Sequence, residues 1–79
     1  MATYTIRYYL GDSLYSEETR KRRDAAGLLF LSRVYDMIKA NACLDTKSGH
    51  RAYKQAQQIY NRDVNEMAVS LFDCRVTFN

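Results

Sequence analysis

The sequence predicts an α+β fold of order β-α-α-β, an antiparallel helical hairpin packed on a two-stranded antiparallel ribbon, in a single domain spanning residues 1–79. Three observations predict it. Apolar and polar residues alternate at both ends of the chain, apolar residues recur at helical spacing through its middle, and a short polar stretch containing Gly49 breaks that middle pattern. Period two belongs to half-buried strands, and a period near 3.6 to helices that bury one stripe.

Residues 3–10, Thr-Tyr-Thr-Ile-Arg-Tyr-Tyr-Leu, are rich in β-branched and aromatic types. They place Tyr4, Ile6, Tyr8 and Leu10 on one face and Thr5, Arg7 and Tyr9 on the other, the pattern of a strand with one buried side. Gly11, Asp12 and Ser13 supply turn chemistry. Ser16 then offers an N-cap, with Glu17 and Glu18 where the positive end of a helix dipole favours anions.

A first helix is therefore expected from about residue 17 to 41. Ala26, Phe30, Leu31, Val34, Met37 and Ile38 share its apolar arc, with Ser32, Arg33, Asp36 and Lys39 opposite or flanking. Gly27 falls in the middle of that arc. Glycine inside a helix costs about 1 kcal/mol relative to alanine, so another element is expected to approach closely there.

Residues 44–49 form a short connection with Asp45 and Ser48 as candidate N-caps, and so short a link favours an antiparallel hairpin. The second helix is expected from about residue 48 to at least 62. The spacing of Tyr60, Val64, Met67 and Leu71 allows it to continue, although Val69 and Phe72 would then point to the polar side. In the closing strand the period is two again, with Cys74, Val76 and Phe78 inward and Arg75 and Thr77 outward. Short links make the two strands antiparallel neighbours. A two-stranded ribbon is marginal in water and leaves two open edges, so a homodimer or a partner's strand is expected to extend it.

Size and composition bound the function. A chain of 79 residues buries only about 60 to 65% of its unfolded surface. An apolar fraction of 47%, with seven tyrosines, three phenylalanines and no tryptophan, suffices for one small core. Twelve Lys and Arg against nine Asp and Glu give a net charge of +3, which suits an acidic partner without requiring one. Residues 1–15 lack the apolar run of a secretory signal, so Cys43 and Cys74 read as buried thiols of a cytoplasmic protein. The longest apolar run, Leu28 to Leu31, is far below the ~20 residues of a membrane span.

The most informative feature is a one-sided positive charge. No acidic residue lies between Asp45 and Asp63, while Lys47, His50, Arg51, Lys54 and Arg62 all do. On a helix, Lys47, Arg51, Lys54, Gln55, Gln58 and Arg62 form one stripe opposite Tyr53, Ala56, Tyr60, Val64 and Met67. Cations in a first helical turn oppose the dipole at a cost of about 0.3 to 1 kcal/mol each. Folding alone gives no reason to place them there.

Two further basic features compete with it. Arg20, Lys21, Arg22 and Arg23 are expected to overhang the core at the first helix's start, presenting all four cations to solvent at the end away from Lys47 and Arg51. On the ribbon's outer face, Arg7, Tyr9, Arg75 and Thr77 combine cations with a flat ring of the kind that stacks on nucleic-acid bases.

Catalytic signatures are absent. His50 has no carboxylate to orient it and no second ligand nearby, and Thr46-Lys47-Ser48-Gly49 lacks the order of a phosphate loop. Paired carboxylates for general acid and base work would need convergence from Glu17, Glu18, Asp24, Asp63 or Glu66, and Asp63 and Glu66 are three apart on one predicted helix, the spacing of a solvated face. The expectation is a non-enzymatic binding module with no metal or cofactor. Through Lys47, Arg51, Lys54 and Arg62, with Arg20, Arg22, Arg23, Arg7 and Tyr9 as further contacts, it would dock on an acidic protein surface or block a nucleic-acid-handling complex. Size and the lack of catalytic motifs also suit a phage or mobile-element inhibitor. The alternatives are weakly specific DNA or RNA binding by the basic helix face, and a structural subunit whose ribbon edge and Leu29 are covered in an oligomer.

Overall fold

The computed structural model describes residues 3–62 and 67–79. Its elements run β1 (Tyr4–Leu10), β2 (Ser13–Arg20), α1 (Arg23–Ala40), α2 (Lys47–Tyr60), β3 (Met67–Leu71) and β4 (Cys74–Phe78). The strands form one antiparallel sheet in the order β2-β1-β4-β3, and the helices cover one of its faces. The α+β class holds. So does the central pairing, with Ile6 opposite Phe78 and Tyr8 opposite Val76.

The two-stranded ribbon does not hold. Each of its strands folds against a hairpin partner from the same chain, so β1 and β4 become the central strands and the order is β-β-α-α-β-β. The edges that called for a homodimer or a partner's strand are occupied by β2 and β3.

The segment expected to open the first helix is β2, and Ser16 caps nothing. Its polar character hid it, because the positions facing the helices are Ser16 and Glu18, opposite Tyr8 and Ile6. Instead of apolar packing, Glu18 accepts from Arg33 of α1 at 2.7 Å and lies 3.6 Å from Arg20. The hydrogen bond to Glu18 raises the Arg33 guanidinium further above its ordinary value. Across the sheet Glu17 pairs with Arg7 at 2.6 Å. A bulge between Tyr8 and Tyr9 throws Tyr15 out of register, leaving its ring 5.4 Å from that of Tyr8.

Helix α1 starts at Arg23 without a side-chain N-cap, and Asp24 Oδ1 accepts from Ala25 N–H at 2.9 Å instead. Ala26, Gly27, Phe30, Val34, Met37 and Ile38 are buried, and Leu31 is half-buried. Leu29 also packs half-buried against the core, while Leu28 is the exposed leucine of this turn. The core closes on the sheet through Phe30 and Phe78, whose ring centroids are 5.3 Å apart.

At the C-terminal end of α1, Cys43 N–H donates to Ile38 O and Ala42 N–H to Lys39 O. This is a Schellman turn with alanine, at φ 55°, where glycine is usual. Asn41 Nδ2 adds a bond to Met37 O at 2.8 Å.

Gly27 does what its position implies. A Cβ there would overlap the ring of Tyr60 at the end of α2. At the other end of the hairpin, a Cβ on Gly49 would overlap the Cys43 carbonyl. Arg23 joins the first contact by donating to Tyr60 O at 2.9 Å and Ile59 O at 3.3 Å, serving the last carbonyls of α2.

Helix α2 stops at Tyr60, not near residue 71. Beyond it, Val69 pairs with Val76 in β3 and is fully buried, because period two has replaced the helical period. Val64 and the Asp63 and Glu66 pair lie outside the described residues. Cys43 is buried and Cys74 half-buried, and both are free thiols.

Two stability predictions follow from this packing. Gly27→Ala should destabilise the fold by about 1 to 3 kcal/mol through overpacking against Tyr60, despite alanine's higher helix propensity. Urea unfolding should show part of that loss recovered by adding Tyr60→Ala. Ala42→Gly should stabilise by about 0.5 to 1 kcal/mol by relieving the left-handed backbone, read as a raised urea midpoint at unchanged slope.

Candidate functional site

Helix α2 is positioned by its N-cap. Thr46 Oγ1 accepts from Gly49 N–H at 3.1 Å and donates to Cys43 O at 2.9 Å, so one hydroxyl starts the helix and fastens it to the preceding turn. Neither Asp45 nor Ser48 is the cap; Thr46, between them, takes that place. With Gly49, Ala52, Ala56 and Ile59 buried, the rotation of α2 about its axis is set. Lys47, Arg51, Lys54, Gln55 and Gln58 are exposed. At about 1.5 Å of rise per residue, Lys47 and Lys54 lie about 10 Å apart along the helix. Arg62 is exposed just past the far end.

The treatment of cations differs across the molecule. Arg7, Arg20, Arg22 and Arg33 each pair with a carboxylate: Glu17, Glu18, Asp24, and Glu18 with Asp36. The bond to Glu17 also raises the Arg7 guanidinium above its ordinary value. Arg75 lies 4.4 Å from the Tyr9 ring centroid. Among the described residues, no carboxylate pairs with Lys47, Arg51 or Lys54. The first turn of α2 contains no acid at all.

The other two basic features change in meaning. The tetrad is split: Arg20 ends β2, Arg22 precedes α1, and Arg23 is half-buried against Tyr60 and Ile59, with its guanidinium 5.7 Å from the Phe78 ring centroid. It does not present four cations to solvent. The tetrad does lie at the end away from Lys47. On the outer sheet face Arg7 sits opposite Thr77 and Tyr9 opposite Arg75, but Glu17 holds Arg7 and the Tyr9 ring is already covered by Arg75.

A groove beside the basic face had not been signalled by the sequence. It has a volume of about 620 Å³ and lies between α1 and the start of α2, lined by Tyr35, Ile38, Leu44, Gly49, His50, Tyr53, Lys54 and Gln57. Tyr35 and Tyr53, both on its lining, meet edge to face with centroids 6.5 Å apart. Tyr53 could be placed on the packing side of α2 from its spacing. Nothing in the periodicity of α1 marks Tyr35, and Leu44 sits in a connection with no period. His50 Nε2 is 3.1 Å from Leu44 O, which fixes the ring on the groove's rim.

A separate exposed apolar group occurs at the hairpin tips, where Phe72 is 73% exposed at φ 54° and Gly11 N–H donates to Asp73 O at 2.7 Å. Among the described residues there is no group of three metal-ligating side chains, and no helix is long and apolar enough to cross a membrane.

No protein-family model matches the chain, and neither the curated proteins nor the solved structures provide a match.

The dipole cost of the basic first turn is directly measurable. Lys47→Glu should raise stability by about 0.3 to 1 kcal/mol at low salt, with the gain fading as salt is added. Urea titrations at two ionic strengths would check it.

Proposed function

We propose that this protein is a non-enzymatic binding module that uses the exposed basic face of α2 to dock on an acidic partner and act by occupying that surface. One observation carries the reading: Arg7, Arg20, Arg22 and Arg33 are paired with carboxylates of the same chain, whereas Lys47, Arg51 and Lys54, exposed together on one helix, are left without one among the described residues. Intramolecular ion pairs on a surface contribute little to stability, but they consume charge that a partner would otherwise meet. Leaving one face unneutralised keeps its attraction available for association.

Weakly specific binding of DNA or RNA is the second reading, because the same cations suit phosphates. Contact through the outer sheet face is disfavoured, since Arg75 already lies over Tyr9 and Glu17 already pairs with Arg7.

Polyglutamate and random-sequence duplex DNA separate the two readings. The docking reading expects capture by polyglutamate at low salt, and a loss of about ten-fold or more in the Lys47→Glu, Arg51→Glu, Lys54→Glu triple variant with an unchanged circular dichroism spectrum. Fluorescence anisotropy with DNA over a salt series tests the alternative. A fall in log K, for each ten-fold rise in salt, of about 0.9 per neutralised phosphate, or roughly 2.7 for three cations, with affinity well above that for polyglutamate, would replace the docking reading with a nucleic-acid one. Unchanged capture by the triple variant would remove α2 from both.

A further inference from the structure

We infer that the groove between α1 and α2 seats a bulky aliphatic or aromatic side chain from an acidic segment of the partner protein, with flanking carboxylates meeting Lys54 on its rim and Lys47 and Arg51 beyond His50. The inference rests on the docking reading and specifies where the partner's apolar anchor goes.

The groove is concave and mainly apolar, and its volume of about 620 Å³ falls in the roughly 300 to 1,000 Å³ range of small-molecule pockets, with room for one bulky side chain. Tyr35 and Leu44, 47% and 39% exposed, leave apolar surface on its walls uncovered. Tyr53, half-buried, provides a rigid ring with its body in the groove. Tyrosine suits such a wall, since it adds contact area with few torsions to immobilise.

Charge complementarity selects the occupant. Lys54 and His50 line the groove, and no carboxylate does. His50 also lines a shallower depression shared with Lys47 and Arg51, where Asp45 is the one acid present. An apolar anchor in the groove thus leaves its chain neighbours beside Lys54 or across His50, where positive charge predominates. The concavity between β2 and α1 offers no such opening, because its charged groups Glu18, Arg33 and Asp36 already satisfy one another. A neutral apolar partner would make no use of the unpaired α2 cations. A second copy of this chain would set one basic face against another.

Three short peptides, blocked at both ends, test this against the isotopically labelled protein by amide chemical-shift titration: Glu-Glu-Trp-Glu-Glu, Glu-Glu-Ser-Glu-Glu and Gln-Gln-Trp-Gln-Gln. The first should bind about ten-fold or more tighter than either of the others, consistent with burial of one aromatic side chain, and should shift the amides of Leu44, His50, Tyr53 and Lys54. Tyr35→Ser and Leu44→Ser, both at exposed positions, should abolish that preference for tryptophan and leave the weaker binding of the serine peptide unchanged. Equal binding of the two acidic peptides would overturn the groove while leaving the docking face intact. Binding of neither by the folded protein would overturn both. Equal binding of the two tryptophan peptides would overturn the acidic character assigned to the partner. Concentration-dependent self-association that shifts Tyr35 and Leu44 would give the groove to a second copy instead.

Discussion

The close approach of α1 and α2 is the constraint from which the arrangement of this molecule follows. It is made at two points, each opened by a glycine. Gly27 admits the Tyr60 ring at one end of the hairpin, and Gly49 admits the carbonyl of Cys43, in the turn after α1, and the side chain of Ile38 at the other. Two contacts at opposite ends leave α2 little freedom to rotate about its own axis. Arg23 bonds to the last carbonyls of α2, and Thr46 holds its first turn. The side of α2 that carries Lys47, Arg51 and Lys54 is thereby turned outward by backbone proximity and capping as much as by hydrophobic burial.

The sheet beneath is finished by strands of two kinds. β3 contributes Val69 and Leu71 to the core and follows the ordinary logic of apolar burial. β2 contributes almost none. Its inward positions carry Ser16 and Glu18, and it is joined to α1 by the Glu18 to Arg33 pair and to β1 by backbone pairing and the Glu17 to Arg7 pair. Such ion pairs are half-exposed, so their worth lies in orientation more than in energy. They also remove Arg7, Arg20 and Arg33 from the charge available to a partner. Lys47, Arg51 and Lys54 on α2 keep their charge unpaired among the described residues.

Much of the secondary structure was legible from spacing. Tyr4 to Leu10, Cys74 to Phe78 and the core arc of α1 each repeat one period over several residues, and each forms the element that its period implies. Gly27 was legible for a different reason, since a glycine facing a core has an evident cost and hence needs a neighbour. Failures occurred where local signals had two readings. Ser16, Glu17 and Glu18 make a good helix start in isolation, yet they also suit a polar edge strand when Arg7 and Arg33 stand opposite. Tyr60, Val64, Met67 and Leu71 keep helical spacing even though the chain is a strand from Met67 onward.

For the candidate site, the amino-acid sequence by itself determined that positive charge accumulates on one side of the second helix, because charge and helical period are both local properties. Which cations remain unpaired was decided by the tertiary structure, since it brings Glu17 to Arg7 and Glu18 to Arg33 across separations that no period spans. The groove was decided there too. Tyr35, Leu44 and Tyr53 belong to three different segments, and only the packing of one helix against the other gives them a common wall.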